Sequence, residues 1–147
     1  MSAVVVVWIV LSGASVFAIV RSASSRERFR DDGAKLLGNW AGESICVGNH
    51  PACHDEQVVY RISKAPDESS KVTITADKII NGKPETMYVL DFKYDEKKGT
   101  LTGEFVNSRY HGVWEYTVKG DTMEGTLTLL PDKTIARRVR VRKEGER

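Results

Sequence analysis

The sequence predicts an all-β domain, an eight-stranded antiparallel up-and-down barrel preceded by an N-terminal hydrophobic helix. Three observations predict it. From Leu36 onward, eight runs alternate apolar and polar residues. The gaps between them are shorter than the dozen or so residues that a parallel crossover needs, so neighbours pair antiparallel. Each run has one apolar and one wet face, and closing a meander buries the apolar faces and removes the edges. A two-sheet sandwich is the alternative arrangement of the same strands.

Ala3 to Val20, "AVVVVWIVLSGASVFAIV", contains no charged residue. The dense apolar part, Val4 to Leu11, has the length of a signal-peptide core. Ser12-Gly13 breaks it, and Val16-Phe17-Ala18 offers small residues where a signal peptidase cuts. No Lys or Arg precedes it. Read as an anchor instead, the stretch is just long enough to span a bilayer. Arg21, Arg26, Arg28 and Arg30 would then favour the cytoplasmic side. A core helix is the third reading and needs a larger protein around it. Residues 1–20 are therefore read as signal peptide or anchor. Residues 21–35 are read as a polar linker and residues 36–147 as the barrel domain. The location expected is exported (periplasm, envelope or outside the cell) or membrane-anchored.

The runs fall at 39–47, 56–64, 71–80, 85–94, 100–107, 111–119, 122–130 and 134–143. "NGKP", "DEKKG", "KGD" and "LPDK" supply the turns between the later ones. In the second run Val58, Tyr60 and Ile62 share a face opposite Arg61. In the fourth, Asp91 is in phase with Met87 and Val89, which turns it inward unless the register slips by one. In the sixth, Trp114, Tyr116 and Val118 share a face; in the seventh, Met123, Leu127 and Leu129 do. In the last, Arg137 is in phase with Ile135, Val139 and Val141 and points inward. Arg138, Arg140 and Arg142 point outward and discourage edge pairing. Net charge is only +2 and no aromatic platform interleaves these arginines, so nucleic acid is not an expected partner.

"LLGNWAGES" places Gly38-x-Trp40 at the start of the first strand. Together with eight antiparallel strands and an arginine on the last, this resembles the lipocalin-like (calycin) barrels. The chain as a whole looks most like small bacterial lipocalin-like proteins of unassigned function. The resemblance implies that Trp40 lies across the closed end, with Arg137 packed over it. A guanidinium over an indole face gains about 1–2 kcal/mol when partly desolvated.

Both cysteines lie in "ICVGNHPACHDE", between the first two strands and at the end opposite Trp40. Gly48, Asn49 and Pro51 turn the chain and bring Cys46 and Cys53 close enough for a disulfide. In an exported protein that bridge would form. Zinc bound by Cys46, His50, Cys53 and His54 is the alternative, although adjacent ligands at 53 and 54 would need a sharply bent backbone. Free thiols are the third reading. The spacing fails the haem-attachment pattern. His54 and Glu56 fall on one strand face and could form a proton-transfer pair. A solvated loop end with Asp55 capping turn amides is the plainer reading. His111 starts a strand and is read as a satisfied or exposed histidine.

No nucleotide-binding, nucleophile-elbow or paired zinc motif occurs. The expectation is a monomeric barrel binding a small, mostly apolar molecule, with no cofactor and no catalytic residue. Tyr60, Asp91, Phe105, Trp114, Tyr116 and Arg137 are its candidate ligand contacts. The membrane would be a partner only through an uncleaved N-terminus. A structural or partner-binding envelope protein with a filled core is the second reading. An enzyme built on His54, Glu56 or a metal is the third.

Overall fold

A computed structural model describes residues 33–48, 51–66 and 70–145 of the chain. The expected N-terminal hydrophobic helix lies outside the described residues. Of the expected linker, Gly33 to Lys35 belong to a 3-10 turn, Gly33–Leu36. Among the described residues no helix is long and apolar enough to cross a membrane.

Eight strands follow: β1 Gly38–Cys46, β2 Glu56–Lys64, β3 Lys71–Ile80, β4 Lys83–Asp95, β5 Thr100–Val106, β6 His111–Lys119, β7 Thr122–Leu130 and β8 Thr134–Lys143. They form a closed antiparallel barrel in sequential order, sealed by β1 pairing with β8. The alternation that predicts the strands is the alternation of burial: Val58, Tyr60 and Ile62 are buried, and so are Trp114 and Tyr116. Asn81 and Gly82, both at positive φ, join β3 to β4 in the tight hairpin that an Asn-Gly pair favours.

The barrel is narrow, and glycines make it so. At Gly103, Gly112 and Gly125 an aromatic ring from the preceding strand occupies the space a side chain would fill. A Cβ on Gly103 would meet the Phe92 ring at 2.7 Å, one on Gly112 the Phe105 ring at 2.6 Å, and one on Gly125 Tyr116 Cδ1 at 2.3 Å. Phe105–Gly112 and Tyr116–Gly125 are direct cross-strand partners. Rings laid over strand glycines keep the sheet curled without losing buried area.

The closed end is plugged. Leu36 and Trp40 are buried, and the Trp40 indole N–H donates to the Leu36 carbonyl at 2.9 Å. Arg137 is not over this indole. It pairs in register with Cys46 at the far end of β1, whereas the partner of Trp40 is Lys143. The Lys143 ammonium donates to the Lys35 carbonyl at 2.7 Å, tying the plug to β8. The expected arginine–tryptophan pairing is thus corrected: the cation at the closed end is a lysine six residues further on.

Two register shifts re-aim the open half. One falls between Ala76 and Asp77, where Tyr88 pairs with Ala76 and Thr86 with Asp77, so Met87 is the extra residue. The inward set on β4 is therefore Tyr88, Leu90 and Phe92. Asp91 is exposed and accepts a hydrogen bond from Thr73 Oγ1 at 2.6 Å. This corrects the inward placement of Asp91. The second shift lies between Leu127 and Thr128, opposite Ala136 on β8. β4 and β5 pair only over Lys93–Asp95 and Thr100–Thr102, and beyond that they part.

Candidate functional site

Where β4 and β5 part, a cavity of about 320 Å³ opens into the upper half of the barrel. Its inner wall carries four rings: Tyr60 from β2, Tyr88 from β4, Phe105 from β5 and Trp114 from β6. Met87, Val89, Leu90 and Leu127 complete the apolar lining, Arg137, Glu56 and Ser44 form one polar edge, and Asn107 is the remaining polar residue. Below it, Trp40, Val72, Ile74, Phe92, Leu101 and Met123 fill the closed half. A larger concavity of about 1170 Å³ lies on the outer face of β5–β8 and β1. Its walls carry Glu43, Glu115, Glu124, Arg138 and Arg140, exposed side chains of both signs, so it is a charged surface trough.

The polar edge is built on Arg137. Its Nε donates to Ser44 Oγ at 2.8 Å, and its Nη2 donates to the His54 carbonyl at 2.8 Å and to Glu56 Oε2 at 2.9 Å. Nη1 approaches Cys53 Sγ at 3.7 Å. The guanidinium and the Glu56 carboxylate are mostly buried, with side chains 17% and 22% exposed. Two such groups, paired and sharing further hydrogen bonds, offset part of the cost of leaving water. Cys46 and Cys53 are joined in a disulfide, and the Cys46 amide donates to Asp55 Oδ1 at 2.8 Å. The bridge and the Asp55 cap hold the Cys53–Glu56 segment against Arg137.

The aromatic wall is a connected cluster. Trp114 stacks between neighbours at 5.7 Å from both Tyr88 and Tyr116, while Tyr60 meets Tyr116 edge-on at 6.0 Å. Three phenols converge: Tyr116 donates to Tyr60 at 3.3 Å and shares a hydrogen bond with Tyr88 at 3.4 Å. Burial pushes Tyr60 above the ordinary phenol value of 10.0, and burial pushes Tyr88 and Tyr116 well above it. Desolvation disfavours the phenolate, so all three are neutral donors at physiological pH.

A pH dependence follows. The folded state holds these protons more tightly than the unfolded chain. Their contribution to stability is complete below the unfolded value near 10 and declines as pH rises above it. Denaturation curves taken at about pH 9 and about pH 11 should show stability falling over that interval. Phenolate absorbance should show three of the five tyrosines ionising only with unfolding. A native protein whose tyrosines all titrate together near pH 10 would contradict the burial of Tyr60 and Tyr116.

Four of the six candidate contacts, Tyr60, Phe105, Trp114 and Arg137, line the cavity. Tyr116 stands behind Trp114 and Tyr60, and Asp91 is on the outer surface. Glu56 engages Arg137 rather than forming a pair with His54, whose side chain is exposed. Of the alternative zinc ligands, His50 lies outside the described residues and the two sulfurs are bonded to each other. Among the described residues no cluster of three metal-ligating side chains occurs. His111 is paired with Glu104 on the barrel exterior.

Tyr88, Met87, Ser44 and Leu127 reach the site without having been singled out for it. Once a phase change at Met87 is allowed, Tyr88-x-Leu90-x-Phe92 reads as an inward face.

The fold and its cavity define a closed eight-stranded up-and-down barrel, an architecture compatible with the calycin type. No family model matches the chain, and no curated protein matches it.

Proposed function

We propose that this protein is an exported or membrane-tethered barrel that binds a small, mostly apolar molecule in the cavity between β4 and β5. The observation that carries the reading is the cavity itself. At about 320 Å³, lined by four rings and aliphatic side chains with one polar edge, it falls within the range of small-molecule sites. The Cys46–Cys53 bridge supports the compartment, since disulfides persist in oxidising surroundings and rarely in a reducing cytosol. A structural role with a filled core is the competing reading, supported by the dense packing of the closed half.

The neutral dye N-phenyl-1-naphthylamine separates the two. A binding barrel takes it up saturably, with enhanced dye emission. Leu90→Trp, which places a larger side chain in the cavity, lowers that uptake by about tenfold or more while the fold is kept. Absence of saturable uptake by the native protein would favour the structural role.

A further inference from the structure

We infer that the cavity selects a neutral, ring-bearing molecule carrying a hydrogen-bond acceptor such as a ketone oxygen, and that the Tyr60–Tyr116–Tyr88 phenols read that acceptor. The inference rests on the cavity being a ligand site.

Each phenol brings one hydrogen. Tyr116 sits between the other two, and its two bonds, at 3.3 and 3.4 Å, employ two of the three hydrogens. Both are long beside the usual O–H···O distance of about 2.7–2.8 Å. Tyr60 and Tyr88 also interact with each other, and each influences the other's ionisation. The trio's ordinary hydrogen bonds both run through Tyr116, and the Tyr60–Tyr88 contact is a third and weaker one. The third hydrogen, on one end of the chain, therefore has no good acceptor. Both end residues, Tyr60 and Tyr88, line the cavity, whereas Tyr116 does not. A guest oxygen supplies the missing acceptor, and an apolar guest leaves the donor unsatisfied.

Charge and shape narrow the class. Arg137 is neutralised by Glu56 and its hydrogens are spread over Ser44, His54 and Cys53, so no uncompensated cation awaits an anion. An ionised carboxylate among the rings would lose its hydration for a single neutral donor. Rings from four strands surround the space, and a guest ring can meet them edge-to-face or offset. An apolar cavity of about 150 Å³ holds a benzene-sized guest, so twice that volume suits a bicyclic one.

The probes are 2-acetylnaphthalene, 2-isopropylnaphthalene and 2-naphthoate, titrated into the protein as its host produces it and read by quenching of tryptophan emission. The first two share a shape and differ in one carbonyl oxygen. The expected result is a preference for the ketone over the hydrocarbon that falls about tenfold in Tyr60→Phe/Tyr88→Phe. Either single variant should keep most of it, because two phenols still share one bond and leave one hydrogen over. A preference unchanged in the double variant overturns the inference, and so does tighter binding of the naphthoate. Should the double variant not fold, the native protein still decides. The carbonyl stretch of bound, ¹³C-labelled 2-acetylnaphthalene should lie below its value in hexane, and an unshifted band overturns the inference. Uptake of N-phenyl-1-naphthylamine with no binding of any of the three probes overturns this inference alone. Failure of the dye as well overturns the ligand-site reading beneath it.

Discussion

Gly42→Val is expected to destroy the closed barrel. Gly42 lies on β1 opposite Val141 of β8, in the seam that joins the first strand to the last. A Cβ there would meet the Arg140 carbonyl oxygen at 2.1 Å and Val141 Cα at 2.8 Å. Both are backbone atoms, so no side-chain rotation relieves the contact, and β1 must separate from β8. The cost should be at least about 3–4 kcal/mol, large against a typical domain stability of about 5–15 kcal/mol. Gly42→Ala carries the same Cβ and should be nearly as damaging. Gly145, past the end of β8 with open space around it, is the control. Its alanine variant should stay within about 0.5 kcal/mol of the parent. Urea denaturation measures all three, and a Gly42→Ala protein as stable as its parent would refute the close approach.

Removing the disulfide should have the next largest effect, and on two readouts at once. The closed loop is short, a separation of seven residues, and loop-closure entropy assigns the bridge about 2.5 kcal/mol. The bridge also fixes the segment that gives Arg137 the Cys53 sulfur, the His54 carbonyl and the Glu56 carboxylate. In Cys46→Ser/Cys53→Ser these acceptors lose their fixed positions, and Arg137 can move into or away from the cavity it borders. Both stability and affinity for the naphthylamine dye should fall, the latter about three- to tenfold. Dithiothreitol should reproduce both changes in the native protein. Unaltered melting and dye affinity on reduction would show that the loop is held without the bridge.

The strands were legible because burial in a barrel has a period of two. Seven of the eight runs read from alternation coincide with β1–β3 and β5–β8 to within a residue at each end, and β4 extends by two residues at its start and one at its end. The inward faces of β2 and β6 follow from the same pattern. Bulges escape it. An extra residue such as Met87 leaves no mark in composition, yet it exchanges the faces of everything before it relative to everything after. That is why Asp91 reads as inward and Tyr88 goes unnoticed. Arg137 illustrates a different limit. Its inward phase is visible along β8, but how far it lies from Trp40 depends on the β1–β8 register, which only the closed structure supplies. The disulfide was readable from the turn residues between its cysteines, whereas the hold of that loop on Arg137 spans more than eighty residues of sequence.

The position of Gly33 has a consequence for how the molecule is presented. The chain joins the barrel at the plugged end, beside Leu36 and Trp40, while Ser44, Glu56 and Arg137 border the cavity at the other. The residues that enter the barrel at Gly33 therefore leave the mouth of the cavity clear, because entry and opening lie at opposite poles.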